Sequence, residues 1–238
     1  MNLNLNLNLF LHSHPYKPFL FEEATRWIVG TLPPPRFTTG RLKPGDVDFC
    51  YGSRDGYLWP ILDEIFGLGL KFEDSREAVR QRTDFLKAKK IGICDIVESA
   101  EREKVDASDL GMRQVKLRDL VAFLYSYPSA HTLLFTGGSS RNGPEYFFRQ
   151  LLKQYGIRLK KCNAQIPREH EFVLPGINPV NGCQTTQIER IIKTVSLTAP
   201  SGAANRAVGS MEEYKAIKRK NPDFTTLDFR IQQYRKYF

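Results

Sequence analysis

The chain has 238 residues, 41% hydrophobic and 26% charged, with a formal net charge of +9, which suits one large or two small domains with a sizeable core and a polyanionic partner. No apolar run approaches the length of a bilayer span, and the start lacks the basic, apolar and small-residue regions of a secretory leader, so no membrane role is expected and the reading is cytoplasmic. The four cysteines, Cys50, Cys94, Cys162 and Cys183, form no CxxC pair and are expected as free thiols.

The opening MNLNLNLNLFL alternates Asn and Leu with a period of two, which suits a half-buried strand but is also of low complexity, so residues 1–14 are expected to be a poorly ordered extension. From residue 15 to 238 no flexible linker divides the chain, and a single domain is the economical reading. Four apolar runs are expected as strands: RWIVG (26–30), KIGICDI (90–96), HTLLFT (131–136) and RIIKTVSLT (190–198). Between them LWPILDEIFGL, SREAVRQRTDFLKAK, LRDLVAFLYSY and PEYFFRQLLKQYG repeat apolar residues at helical spacing. This alternation predicts an α/β fold, a three-layer α/β/α sandwich around a central, mostly parallel, four-stranded sheet. An insertion is expected near 158–187. The segment 210–238 mixes Lys and Arg with Tyr and Phe, and reads either as a helical tail packed by its aromatics or as a phosphate-contacting surface. A capping box of Ser210 and Glu213 is expected to begin it.

In parallel sheets of this kind ligands gather at the carboxyl ends of the strands. The first strand runs into Pro33, Pro34 and Pro35, which cannot continue a sheet and should form a rigid, extended loop. The other strand ends lead into DIVESAERE, TGGSSRNG and APSGAANRA, where Glu98, Glu101 and Arg102 read as a solvated helical face.

Taken in order, GTLPPPRF, VDFCYGSRDGYLWPIL, KIGICDIVESAEREKVDASDLG, TLLFTGGSS and SLTAPSGAANRAVG resemble the active-site blocks of the uracil-DNA glycosylase superfamily, most closely its hypoxanthine-DNA glycosylase-like branch. The resemblance implies base excision in DNA repair: a monofunctional glycosylase that needs no metal or cofactor and binds DNA containing a damaged or mismatched base, with nucleoid association when bound; the oligomeric state is open, with a monomer as the default. It extends from Pro15 to about Gly209. Excision requires a base turned out of the stack, a pocket that reads its edge, and a water aimed at the sugar carbon. By the resemblance, the first and last loops pinch the phosphates: Gly30, Thr31, Pro33, Pro34, Gly52 and Ser53 on one side, Thr198, Ser201, Gly202, Asn205 and Arg206 on the other.

Several branches carry a histidine in the last loop, and TAPSGAANRA has none. The branch's catalytic Asn falls on Gly56, so Asp55 is the expected water-orienting carboxylate; it also reads as an Asp-Gly turn before a helix. Asp95 stands where the family reads the extruded base, and equally suits a strand end paired to an arginine. Tyr51 and Tyr57 are expected to stack on the base, or to belong to the core. PGINPV (175–180) resembles the first-loop motif of the mismatch-specific branch but lies far downstream, and the cysteine spacing does not match the iron-sulfur branches. His170 reads as a surface residue. Two other functions compete: a superfamily member that binds DNA without cutting, and an enzyme acting on small phosphorylated metabolites, which the absence of GxxxxGK[ST] and GxGxxG tracts disfavours.

Overall fold

A computed structural model describes residues 9–105, 109–176 and 188–238. Two short strands, β1 (Phe10–Ser13) and β2 (Arg26–Val29), are followed by a single helical turn, α1 (Pro35–Thr38), and by helices α2 (Leu58–Phe66) and α3 (Arg76–Ala88). Next come β3 (Ile91–Ile93), β4 (Val97–Arg102), β5 (Arg113–Leu117), α4 (Leu120–Ser126), β6 (Thr132–Phe135) and α5 (Pro144–Gln154). The chain ends with β7 (Lys160–Asn163), β8 (Arg168–Leu174), β9 (Arg190–Ser196), α6 (Asn205–Ser210), α7 (Glu212–Lys220) and α8 (Thr226–Tyr234).

The four expected strands lie side by side and parallel in the order β3-β2-β6-β9, and antiparallel β8 and β7 extend the sheet to six strands. That pair comes from the region expected as an insertion; β8 stays in register with β9 from Arg168↔Ser196 to Leu174↔Arg190. The expected four-strand core is therefore present, and the sheet is wider than the apolar runs indicate. β7 is exposed along its whole length, KKCN, and carries no hydrophobic pattern to read.

Alternation sorts the core. Trp27, Val29, Leu133 and Phe135 point to one face, where Leu120, Val121 and Leu124 of α4 and Phe147, Phe148 and Leu151 of α5 cover them. Ile28, Leu134 and Val195 point to the other and meet Leu58, Ile61 and Leu62 of α2, Phe85 and Leu86 of α3, and Tyr234 of α8. Helices on both faces of a mainly parallel sheet make the three-layer α/β/α sandwich.

A second, three-stranded sheet, β1-β4-β5, corrects the reading of Glu98, Glu101 and Arg102 as a helical face. Antiparallel pairing on both sides, Phe10↔Arg102 and Val97↔Leu117, overrides the charge pattern. Arg102 is fully buried and its Nε donates to His12 Nδ1 at 2.8 Å. Burial, with the charge of Arg102, pushes the His12 pKa down to about 4 and keeps the ring neutral. His170 is likewise buried, on the α5 face, where it bonds Arg149. Ser210 does not cap α7; its hydroxyl donates to Ala207, and the capping box belongs to Thr225 and Asp228 at the start of α8. Cys50, Cys94 and Cys162 are free thiols, while Cys183 and most of PGINPV lie outside the described residues. Among the described residues no helix is long and apolar enough to cross a membrane.

Phe148 is fully buried between Phe135 of the central strand β6 and Phe172 of β8, with ring centroids 5.2 and 5.7 Å away. Truncation of Phe148 to Ala should cost about 3–5 kcal/mol of stability, read as a shift in the denaturant midpoint with an unchanged slope.

Candidate active site at the carboxyl ends of the strands

The carboxyl ends of β2, β3, β6 and β9 converge on a cavity of about 420 Å³, a volume that receives a small organic ligand. Its floor is organised by Asp95, which follows β3. Asp95 Oδ1 accepts the backbone N–H of Gly30 at 2.7 Å and the Tyr51 hydroxyl at 2.7 Å, and Oδ2 accepts His14 Nε2–H at 2.9 Å. The histidine tautomer follows from its other side: Nδ1 accepts the Tyr16 N–H at 3.1 Å, so the proton sits on Nε2. Thr136, after β6, touches the Tyr51 hydroxyl at 3.1 Å.

Gly30 must be glycine, because a Cβ there would lie 2.3 Å from the Tyr51 hydroxyl and 2.9 Å from the Asp95 carboxylate. Gly52 has the same constraint from backbone, since its Cβ would meet the Val47 carbonyl oxygen at 1.9 Å. Between them Tyr51 adopts φ 59°, a left-handed conformation that costs a non-glycine residue on the order of 1 kcal/mol and is tolerated where surrounding contacts over-determine it. Trp59 of α2 supplies one such contact by donating its Nε1–H to the Cys50 carbonyl. Burial and the nearby Asp95 charge push the Tyr51 phenol up, so it remains a proton donor.

Pro33, Pro34 and Leu32 form one wall. The prolines are not one continuous extended loop: Pro34 is extended, at φ −55° and ψ 143°, whereas Pro35 opens α1, where its missing N–H costs nothing. Arg36, on that turn, makes a bidentate pair with the fully buried Asp46 at 2.7 and 2.8 Å, and its Nη2 also reaches Ser53 at 2.8 Å and Asp55 at 3.3 Å. Asp46 further accepts the Lys43 and Arg54 amides. Burial opposes ionisation of Asp46, but the Arg36 fork and the two amides outweigh it and hold the pKa to about 2.

The opposite wall is the loop after β9, with Pro200, Ser201 and Gly202 facing the cavity. An antiparallel bridge pairs Gly56 with Ser201, and Tyr57 N–H donates to the Pro200 carbonyl at 2.8 Å. Behind the loop stands α8. Arg230 donates to the carbonyls of Ala199 and Ser201 and to Asn205 Oδ1, at 2.9, 3.1 and 3.0 Å. Gln233 accepts the Thr198 amide and Tyr234 donates to the Thr198 carbonyl, both at 2.8 Å. The C-terminal segment thus braces the site through its buried arginine and tyrosine, while α7 presents Lys215, Lys218, Arg219 and Lys220 on a helix without buried residues.

The structure brings together Thr31, Pro33, Pro34, Gly52, Ser53, Asp55, Tyr51, Asp95, Ser201 and Gly202 around one cavity. Asp55 lies at its mouth, with 70% of its side chain exposed. Gly30 backs the floor. Tyr57, Thr198 and Asn205 hold the last loop rather than face the cavity, and Arg206 is exposed on α6. Sequence reasoning missed His14, whose partner is 81 residues away, and Asp109, which lines the cavity and accepts the Thr31 hydroxyl at 2.7 Å. Nothing local marks His14, and the sign of Asp109 is its place near the end of the block KIGICDIVESAEREKVDASDLG. Among the described residues no group of three or more His, Cys, Asp or Glu could hold a metal ion.

No family model matches the chain, and no curated protein matches it. Among solved structures, the solution NMR structure of a Methanosarcina acetivorans protein described as a candidate uracil DNA glycosylase is similar over 89% of this chain and 98% of that one, with a TM-score of 0.50 and 18% identity. The likeness is one of fold: a central sheet flanked by helices in the uracil-DNA-glycosylase-like arrangement.

Two consequences can be measured. Because the Asp46 pKa falls from 3.8 to about 2 on folding, the contacts of its carboxylate with Arg36 and with the Lys43 and Arg54 amides together contribute, net of burial, about 2 kcal/mol that is fully present above pH 3.8 and lost as pH drops toward 2; Asp46→Asn should remove that acid dependence and lower stability at neutral pH. Arg230→Met should leave the sheet intact while amide hydrogen exchange accelerates in residues 199–205.

Proposed function

We propose that the protein is a DNA glycosylase-like hydrolase that receives an everted deaminated base, uracil or hypoxanthine, and cleaves its N-glycosidic bond. The observation that carries this reading is the Asp95 floor. A carboxylate offers about four acceptor positions, and among the described residues protein donors fill three of them, leaving one on Oδ2. A base that meets that position must present an N–H. Uracil and hypoxanthine do so on the ring nitrogen beside a carbonyl, whereas cytosine and adenine present a lone pair there and are repelled. Deamination is thus read by the sign of one hydrogen bond.

Further support comes from the walls. The proline loop is stiff and the Pro200–Gly202 loop small-sided, as close approach to a sugar-phosphate chain requires. The positive net charge favours DNA, and the fold is shared with the Methanosarcina protein. The hypoxanthine-type branch rests on the sequence blocks alone. Asp55, the carboxylate that the sequence offers for orienting water, stands at the mouth beside Arg36. One observation favours a second reading, binding without cleavage: Gly56, where the resemblance expects a catalytic Asn, is engaged through its backbone with Ser201 and has no side chain to act.

The experiment is release of free base from duplexes carrying uracil, hypoxanthine or xanthine. Release from the first two is expected, with Asp95→Asn lowering the rate at least about 100-fold, because the amide no longer offers acceptors on both atoms. Binding to duplex DNA should weaken steeply with salt. Lesion-dependent affinity with no turnover would favour the second reading; inertness and indifference to every lesion would refute both.

A further inference from the structure

Among the described residues three carboxylates line the cavity, and they differ in what the protein already asks of them. Asp95 has both oxygens engaged by Gly30, Tyr51 and His14, and its remaining acceptor position serves the base in the reading above. Asp55 is 70% exposed and paired with Arg36. Asp109 sits on a 3₁₀ turn, Asp109–Gly111, fixed on two sides: Oδ1 accepts the Thr31 hydroxyl at 2.7 Å, and Asn142 Nδ2 donates to its carbonyl at 2.9 Å. Among the described residues its Oδ2 accepts no hydrogen bond.

We propose that Asp109, held by Thr31, is the catalytic carboxylate that orients and deprotonates the attacking water, an assignment that rests on the glycosylase reading of the same cavity. The position is suited to the task. The Thr31 contact anchors one oxygen to the first loop, which the prolines stiffen, and the second oxygen is left for water. In the step assigned here, the water oxygen bonds to the anomeric carbon as the carbon–nitrogen bond breaks and its electron pair leaves with the base. The water proton passes to Asp109 and then to solvent, and the departing base anion takes a proton from solvent. Burial and the charge of Asp95 strengthen Asp109 as a base, against the Thr31 hydrogen bond and Arg102, which act the other way. Asp55 has neither the burial nor an uncommitted setting, being at the mouth beside a cation.

The test is single-turnover base release from a uracil duplex by the wild type, Asp109→Asn, Asp55→Asn and Thr31→Val, with affinity for a duplex carrying a tetrahydrofuran abasic analogue measured on the same preparations. The expected result is a loss of about 100- to 10,000-fold in rate for Asp109→Asn with affinity within about threefold, a loss of under about tenfold for Asp55→Asn, and an intermediate loss for Thr31→Val. Thr31→Val leaves every carboxylate in place, so it reports on the assignment even if Asp109→Asn fails to fold, and a wild-type rate in it would then overturn the proposal. So would wild-type release matched by Asp109→Asn, or a larger loss in Asp55→Asn; either leaves the glycosylase reading standing. A wild type that releases no base overturns that reading and this assignment together.

Discussion

One carboxylate organises the cavity. Asp95 gathers donors from three segments that are far apart in the chain: the backbone at the end of β2, a tyrosine in the loop before α2, and a histidine delivered from beside the small sheet. Each donor is itself constrained. Gly30 has no room for a side chain, Tyr51 is held at a positive φ, and His14 has its tautomer set by the Tyr16 amide. A buried charge is costly unless its acceptors are met, so the demand of one side chain fixes the relative placement of three loops.

The walls are built on a different principle. The proline loop is stiff by covalent structure and is pinned by the Arg36–Asp46 pair, while the facing loop is small and braced from behind by Arg230, Gln233 and Tyr234. Burial pulls the Arg230 pKa down, yet its guanidinium stays charged, with acceptors in the loop and the Tyr57 ring 5.5 Å from its carbon. Rigidity in the Pro200–Gly202 loop is thus obtained without large side chains on the face that a ligand would approach.

How much of this the sequence carries depends on whether a signal is local. Three strands buried on both faces, and β9 whose carboxyl half is, reveal themselves as apolar runs, and the loops after them can be named from the sequence. β7 escapes because an edge of the sheet needs only hydrogen bonds, so KKCN shows no pattern, and in β8 the buried alternation of His170, Phe172 and Leu174 is broken up by charged neighbours. The strand over 97–102 is mistaken for a helix because its pairing partners, β1 and β5, lie outside any local window. The same distinction governs the site. Asp95 and Tyr51 sit in recognisable blocks, whereas His14 gains meaning only through a carboxylate 81 residues away. Arg230 looks like one basic residue among many until its burial sets it apart from the exposed charges of α7.

The position of the brace in the chain has a bearing on biosynthesis. All four parallel strands are complete by Ser196, so the sheet can assemble while the ribosome is still adding the last helices. The loop after β9, however, acquires its supports only when residues 230–234 have emerged. Until those residues are in place the cleft lacks one fixed side, whatever the state of the sheet.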